Sequence, residues 1–177
     1  VLIVAALVNF GVNGIQYAIQ LHLVSCGTNA TSIGFISGGI SLMMLVGSLL
    51  AGKLSDKVPV GPTVCLAYLF ICLCVLPMTL TDSYWIMLVA NSFVGLPFPL
   101  INAMLLGFIF AKSPTSMQGR ITVTLTVPAQ VLSMFCSAVA GTLLPVFGFH
   151  GAVLVFLAVL VASAVLVICS RSIRSIP

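Results

Sequence analysis

Asn9, Asn13, Gln16 and Gln20 are the first side chains along this chain able to make strong hydrogen bonds. They interrupt an otherwise apolar stretch, VLIVAALVNFGVNGIQYAIQLHLV. In a helix, their spacing brings all four within an arc of about 60°. Carboxamides neither titrate nor attack; they donate and accept. Such a stripe has two uses: lining a wet path that binds a polar group, or hydrogen-bonding to a neighbouring helix. Chemistry that needs a nucleophile and a base finds little support. The chain has 2 histidines, His22 and His150, and no G-x-S-x-G, so a serine hydrolase or acyltransferase is disfavoured and no catalytic residue is expected. Cys26, Cys65, Cys72, Cys74, Cys136 and Cys169 show no pairing pattern. Cys72 and Cys74 point about 200° apart on a helix, so no metal site, cofactor or disulfide framework is expected.

The solvent around that stripe follows from composition. Hydrophobic residues are 61% of the 177 and charged residues 5%, with mean hydropathy +1.33. A soluble domain carries about a quarter charged residues. This chain cannot cover itself for water, so it is an integral membrane protein whose first partner is the lipid bilayer. Its six basic residues are too few for a nucleic-acid surface, and no secretory signal peptide is visible. Val1 already lies in an apolar run with no polar anchor before it, which reads as a fragment, a processed product or a truncated form.

A crossing takes about 20 helical residues. Apolar runs between polar or Pro/Gly-marked breaks give six candidates, at about 1–24, 32–54, 61–80, 84–110, 118–143 and 149–169. The fold class expected is therefore all-α membrane protein. The runs are too long, and too free of period-2 alternation, for a β-barrel. Lys53 and Lys57 lie in the second break, Lys112 and Arg120 in the fourth, Arg171 and Arg174 in the tail. Every cation thus sits at an even boundary, one side of a six-span chain. The positive-inside rule makes that side cytoplasmic, with both termini there, in a cell (plasma) membrane. The other side holds Asp82, with His22 and His150 near it.

The second break reads GSLLAGKLSDKVPVGP, with Gly52-x-x-x-Asp56-Lys57 at its core. This resembles the cytoplasmic signature loop of the major facilitator superfamily, between the second and third helices of each six-helix half. Pro59 and Val60-Gly61 depart from that pattern, replacing its second glycine and its paired basic residues. The stretch SPTSMQGRITVTLTVPAQVLSMFCSAVAGTLLPVFG is similar to the corresponding loop and helix of drug- and siderophore-exporting members, through Gly119-Arg120, Pro128 and Gly141. The resemblance implies that residues 1–177 are the C-terminal half of a twelve-helix carrier, with an N-terminal half as the missing partner. It also implies a loop role in gating for Gly52, Asp56, Lys57, Gly119 and Arg120. On physical grounds alone, Gly52 would permit close backbone approach, and the lysines would serve only to set topology.

By the same resemblance, spans one, two, four and five face a central cavity, and the interior polar groups fall on three of them. Asn9, Asn13, Gln16 and Gln20 are joined by Asn91 and Asn102, spaced as if on one helical face, and by Gln130. These seven are the candidate substrate-binding residues, with helix-to-helix hydrogen bonding as the alternative for each. Spans three and six lack such groups and are expected to be peripheral and lipid-facing. Gly95, Pro97 and Pro99 must kink the fourth span, and a hinge and a static bend are both open. No Asp, Glu, Lys or Arg lies within a span interior, where such groups mark proton relays. A weakly polar, uncharged cavity suits an amphiphilic small-molecule substrate better than a sugar or an ion. The expected function is therefore efflux of such compounds (drug, macrolide-like or siderophore) by alternating access, as in an antiporter. Nutrient import by the same fold, or a non-transporting subunit or remnant, are the alternatives.

Overall fold

The computed structural model describes residues 2–54, 58–111, 113–114 and 117–170. Among them the chain is helical, with no strand. α1 runs Leu2–Ser25, α2 Ala30–Leu54, α3 Val60–Val75, α4 Tyr84–Gly95, α5 Phe98–Ala111 and α6 Gln118–Cys169.

Each stop has a local cause. α1 closes on Gly27, whose φ of 70° suits a residue without Cβ. The Gly27 N–H then reaches Val24 O at 3.0 Å and the Thr28 N–H reaches Leu23 O at 2.9 Å, a Schellman pair that satisfies the last carbonyls. α3 gives way to a 3₁₀ turn, Leu76–Thr79, because Pro77 has no N–H to continue the α ladder. Pro97 likewise ends α4. The Leu96 N–H bonds back to Phe93 O at 3.2 Å, and α5 resumes one residue beyond the proline. The kinked fourth span is thus two helices that together make one crossing of 28 residues, Tyr84–Ala111.

α6 is 52 residues long and leaves helical geometry at Gly148, φ 70° and ψ −179°. Straight, it would run to nearly 80 Å at about 1.5 Å per residue. Instead its two arms, 118–147 and 149–169, lie side by side on α1. Cys136 of the first arm donates its S–H to Phe10 O at 3.3 Å. Phe156 of the second arm meets the Phe10 ring at 5.8 Å. Phe149, just past the reversal, stacks on His22 near the other end of α1. Each arm is long enough for one crossing.

The core lies where α1 meets α6: Val8, Val12, Ile15 and Ile19 against Val153, Phe156 and Leu160, all buried. A Cβ on Gly14 would overlap the Phe156 ring, so this face depends on backbone-close approach. α2 packs on α4 and α5, and α3 on α4 and α6. Gly47 sits against the Leu96 carbonyl at the break, and Gly95 against Ile40. Gly52, by contrast, has no close neighbour at its Cβ position among the described residues.

The expectation that spans three and six are peripheral needs refinement. Each has an exposed apolar stripe, Leu66, Leu69 and Leu73 on α3, and Leu154, Val161 and Val165 on the second arm. Each also has a deeply buried stripe: Val64, Tyr68 and Ile71, and Val153, Phe156 and Leu160. Bilayer and bundle interior are equally apolar solvents, so composition cannot separate the two faces. α2 is the least buried of the five membrane-length stretches, with 17% of its most apolar window covered.

Candidate functional site

The site is built on the middle of α1 and the first arm of α6. Asn9, Asn13 and Tyr17 form one i, i+4 row on α1. Opposite, Gln130, Ser133 and Met134 occupy one face of α6. These six side chains line a cavity of about 370 Å³. The α-helical spacing on both sides brings three amides, two hydroxyls, one aromatic ring and a thioether around one volume, with no ionisable acid or base other than the phenol.

The hydrogen bonds show how the amides are held. Asn9 Nδ2 donates to Ala5 O at 2.8 Å within its own helix. Asn13 Nδ2 donates to Asn9 O at 2.8 Å and also approaches Ser133 Oγ at 3.3 Å. One long bond therefore crosses between α1 and α6, whereas the strong ones return to the backbone of α1. Interhelical amide bonds in membranes contribute on the order of 0.6 kcal/mol. A stripe serving only to join helices would direct more of its donors outward from its own helix.

The seven expected binding residues do not converge as a set. Asn9, Asn13 and Gln130 share the cavity. Gln16 and Gln20 are half-buried, lie outside its lining and make no hydrogen bond among the described residues. The path follows the Asn9–Asn13–Tyr17 row, one edge of the polar stripe. Asn91 is 1% exposed, and its Nδ2 is buried without a partner among the described residues. Asn102 is exposed. The single face expected for these two is corrected by the break at Leu96–Pro97, which resets the helical phase between them. Tyr17, Ser133 and Met134 were not singled out from sequence. Tyr17 continues the i, i+4 row and was detectable; Ser133 became visible only once the two helices were packed.

Of the loop residues, Gly119 and Arg120 are exposed in the first turn of α6 and Gly52 in the last turn of α2. Asp56 and Lys57 lie outside the described residues. Gly95, Pro97 and Pro99 stand at the α4–α5 break. Among the described residues no group of three His, Cys, Asp or Glu could hold a metal ion.

Five apolar helical stretches, each long enough to cross a bilayer, with an uncharged polar cavity between α1 and α6, define a multi-pass membrane protein. The sequence model of the Major Facilitator Superfamily matches residues 1–175, and the chain belongs to that family of secondary transporters. No curated protein matches it.

Proposed function

We propose that the chain forms one six-helix half of a secondary carrier that exports uncharged amphiphilic small molecules by alternating access. The observation that carries this reading is the lining of the α1–α6 cavity. Asn9, Asn13, Gln130, Ser133 and the Tyr17 hydroxyl offer directional hydrogen bonds, while the Tyr17 ring and Met134 offer apolar contact. A carrier for ions or acids would need countercharges there, and a sugar site a denser set of polar groups. Met134 adapts readily to differing apolar shapes, which suits a range of substrates. In this reading a second six-helix block supplies the facing wall, and rocking between the two exposes the cavity to each side in turn. The boundaries that carry Lys and Arg face the cytoplasm.

The test compares Asn13→Ala and Gln130→Ala with Leu73→Ala, which alters a side chain on the exposed face of α3. Efflux of several amphiphilic compounds is measured and normalised to carrier in the membrane. The cavity variants are expected to reach near-normal abundance and to change the ranking of compounds by about 5–10-fold, the effect of one lost hydrogen bond to a bound ligand. Leu73→Ala is expected to leave the ranking unchanged. Lower abundance with an unaltered ranking per molecule would mean that Asn13 and Gln130 only join helices.

A further inference from the structure

Asn91 is 1% exposed, and its Nδ2 has no hydrogen-bond partner among the described residues. An amide donor left unpaired in an apolar interior destabilises the state that contains it. The nearest polar side chains along α4 are already engaged. Ser92 Oγ donates to Leu88 O at 2.6 Å, and the Tyr84 hydroxyl donates to Ser32 O at 2.8 Å. On α1, the carboxamide of half-buried Gln16 is likewise without a hydrogen bond among the described residues. Two unpaired carboxamides thus stand on α1 and α4, and these helices touch. We propose that Gln16 and Asn91 are the two halves of a latch, apart in this arrangement of the helices and joined by an amide–amide hydrogen bond in another.

Helical phase turns the two amides towards each other's helix. On α4, Ser92 and Gly95 sit against Gly39 and Ile40 of α2, while Ala90 borders a cavity shared with Cys74 and Pro77. Asn91 lies about 100° from both Ala90 and Ser92, between those contacts and beside the buried Met87 and Val94. On α1, Gly14 meets the second arm of α6 and Asn13 the first. Gln16 is turned about 160° from Gly14 and about 60° from Asn13, and the main remaining neighbour of α1 is α4. The depths also correspond. At about 1.5 Å per residue, Gln16 is about 14 Å from the Ser25 end of α1 and Asn91 about 10 Å from the Tyr84 end of α4. A glutamine side chain spans that difference. The joint that moves Asn91 is close by, since the helix breaks at Leu96–Pro97, little more than one turn further on. The unpaired donor raises the free energy of the open latch and the amide bond lowers that of the closed one, so both bias the same equilibrium. The latch rests on the alternating access proposed above, and not on which compound fills the α1–α6 cavity.

Melting of the purified full carrier, and transport of any compound it moves, test the latch in Asn91→Leu, Gln16→Leu and the double variant. Asn91→Leu nearly conserves volume and removes the unpaired donor, so it is expected to melt above wild type. Its maximal transport rate per carrier is expected to fall about 5–10-fold, the effect of one lost hydrogen bond, with the ranking of compounds unchanged. Gln16→Leu is expected to slow transport by a similar factor, and the double variant no further, because both changes remove the same bond. The exchanged pair Gln16→Asn/Asn91→Gln keeps both amides and is expected to recover most of the rate. Asn91→Leu melting no higher than wild type, a full rate in Gln16→Leu, or multiplying losses in the double variant overturns the latch. So does an altered ranking of compounds in Gln16→Leu, which would place that side chain in the substrate path. The melting comparison needs no substrate, so failure of the amphiphile reading and failure of the latch are told apart.

Discussion

Gly14 and Asn13 are adjacent in α1 and face different partners. Gly14 lets the Phe156 ring lie against the helix backbone, where a Cβ would overlap it. Gly14→Val is therefore expected to destabilise the bundle by about 1–3 kcal/mol, the usual range for overpacking, and to lower both melting temperature and membrane abundance. Gly38→Ala is the matched control, because a Cβ there meets nothing within 4 Å; its melting temperature should be unchanged or slightly higher. Asn13 points to the cavity beside Ser133, and its loss should alter transport more than melting. The polar character of Asn9, Asn13 and Gln130 was legible from residue type and helical spacing. That Gln16 and Gln20 lie outside the cavity was not: Gln16 is on the stripe's other edge, and Gln20, in line with Asn9 and Asn13, lies farther along α1 than the cavity lining reaches.

At the scale of the elements, the informative places are the two breaks. Gly95-Leu96-Pro97 ends one helix and starts another, as the missing proline N–H requires. The break is gripped from α2, where Gly47 fits against the Leu96 carbonyl. Pro97→Ala restores an N–H that can donate to Phe93 O and continue the ladder. If motion at this break is part of the transport cycle, Pro97→Ala should raise the melting temperature, slow turnover and leave the ranking of compounds unchanged. Melting and initial transport rate on the same preparation check this; an unchanged rate would identify a static bend. The position of the break could be read from Gly95, Pro97 and Pro99. Its effect on Asn91 and Asn102 could not, since no spacing rule supplies the change of direction at a proline break. Span boundaries were legible for a simple reason: a crossing has a fixed length and each turn carries Gly, Pro or polar residues. The burial of the second α6 arm against α1 was not, because a helix facing lipid and one facing protein are equally apolar.

For the molecule as a whole, the proposed sidedness rests on the placement of charge. In the full carrier, Thr81→Cys is expected to react with an impermeant maleimide added outside intact cells, and Ser113→Cys only after the inner face is opened. The reverse pattern would invert the orientation. Family membership was legible in the loop motif at Gly52, Asp56 and Lys57, and the match over residues 1–175 rests on the whole chain. The cavity was legible only in outline, as amides on separate spans; joining Asn13 to Ser133 and Gln130 required the reversal at Gly148 and the packing of α6 on α1.

The claim on which the functional reading turns is that the space between α1 and α6 is wet and holds substrate. Ser133→Cys is the smallest change that tests it, since Ser133 lines that space and accepts from Asn13. The rate at which a small hydrophilic maleimide alkylates this variant is measured in membranes, with the unsubstituted carrier correcting for native cysteines such as the buried Cys136. A transported amphiphile is then added over a range of concentrations. The expected result is ready alkylation that slows as the amphiphile saturates its own transport. A thiol that reacts but is not protected by any transported compound, or one that does not react at all, would contradict it.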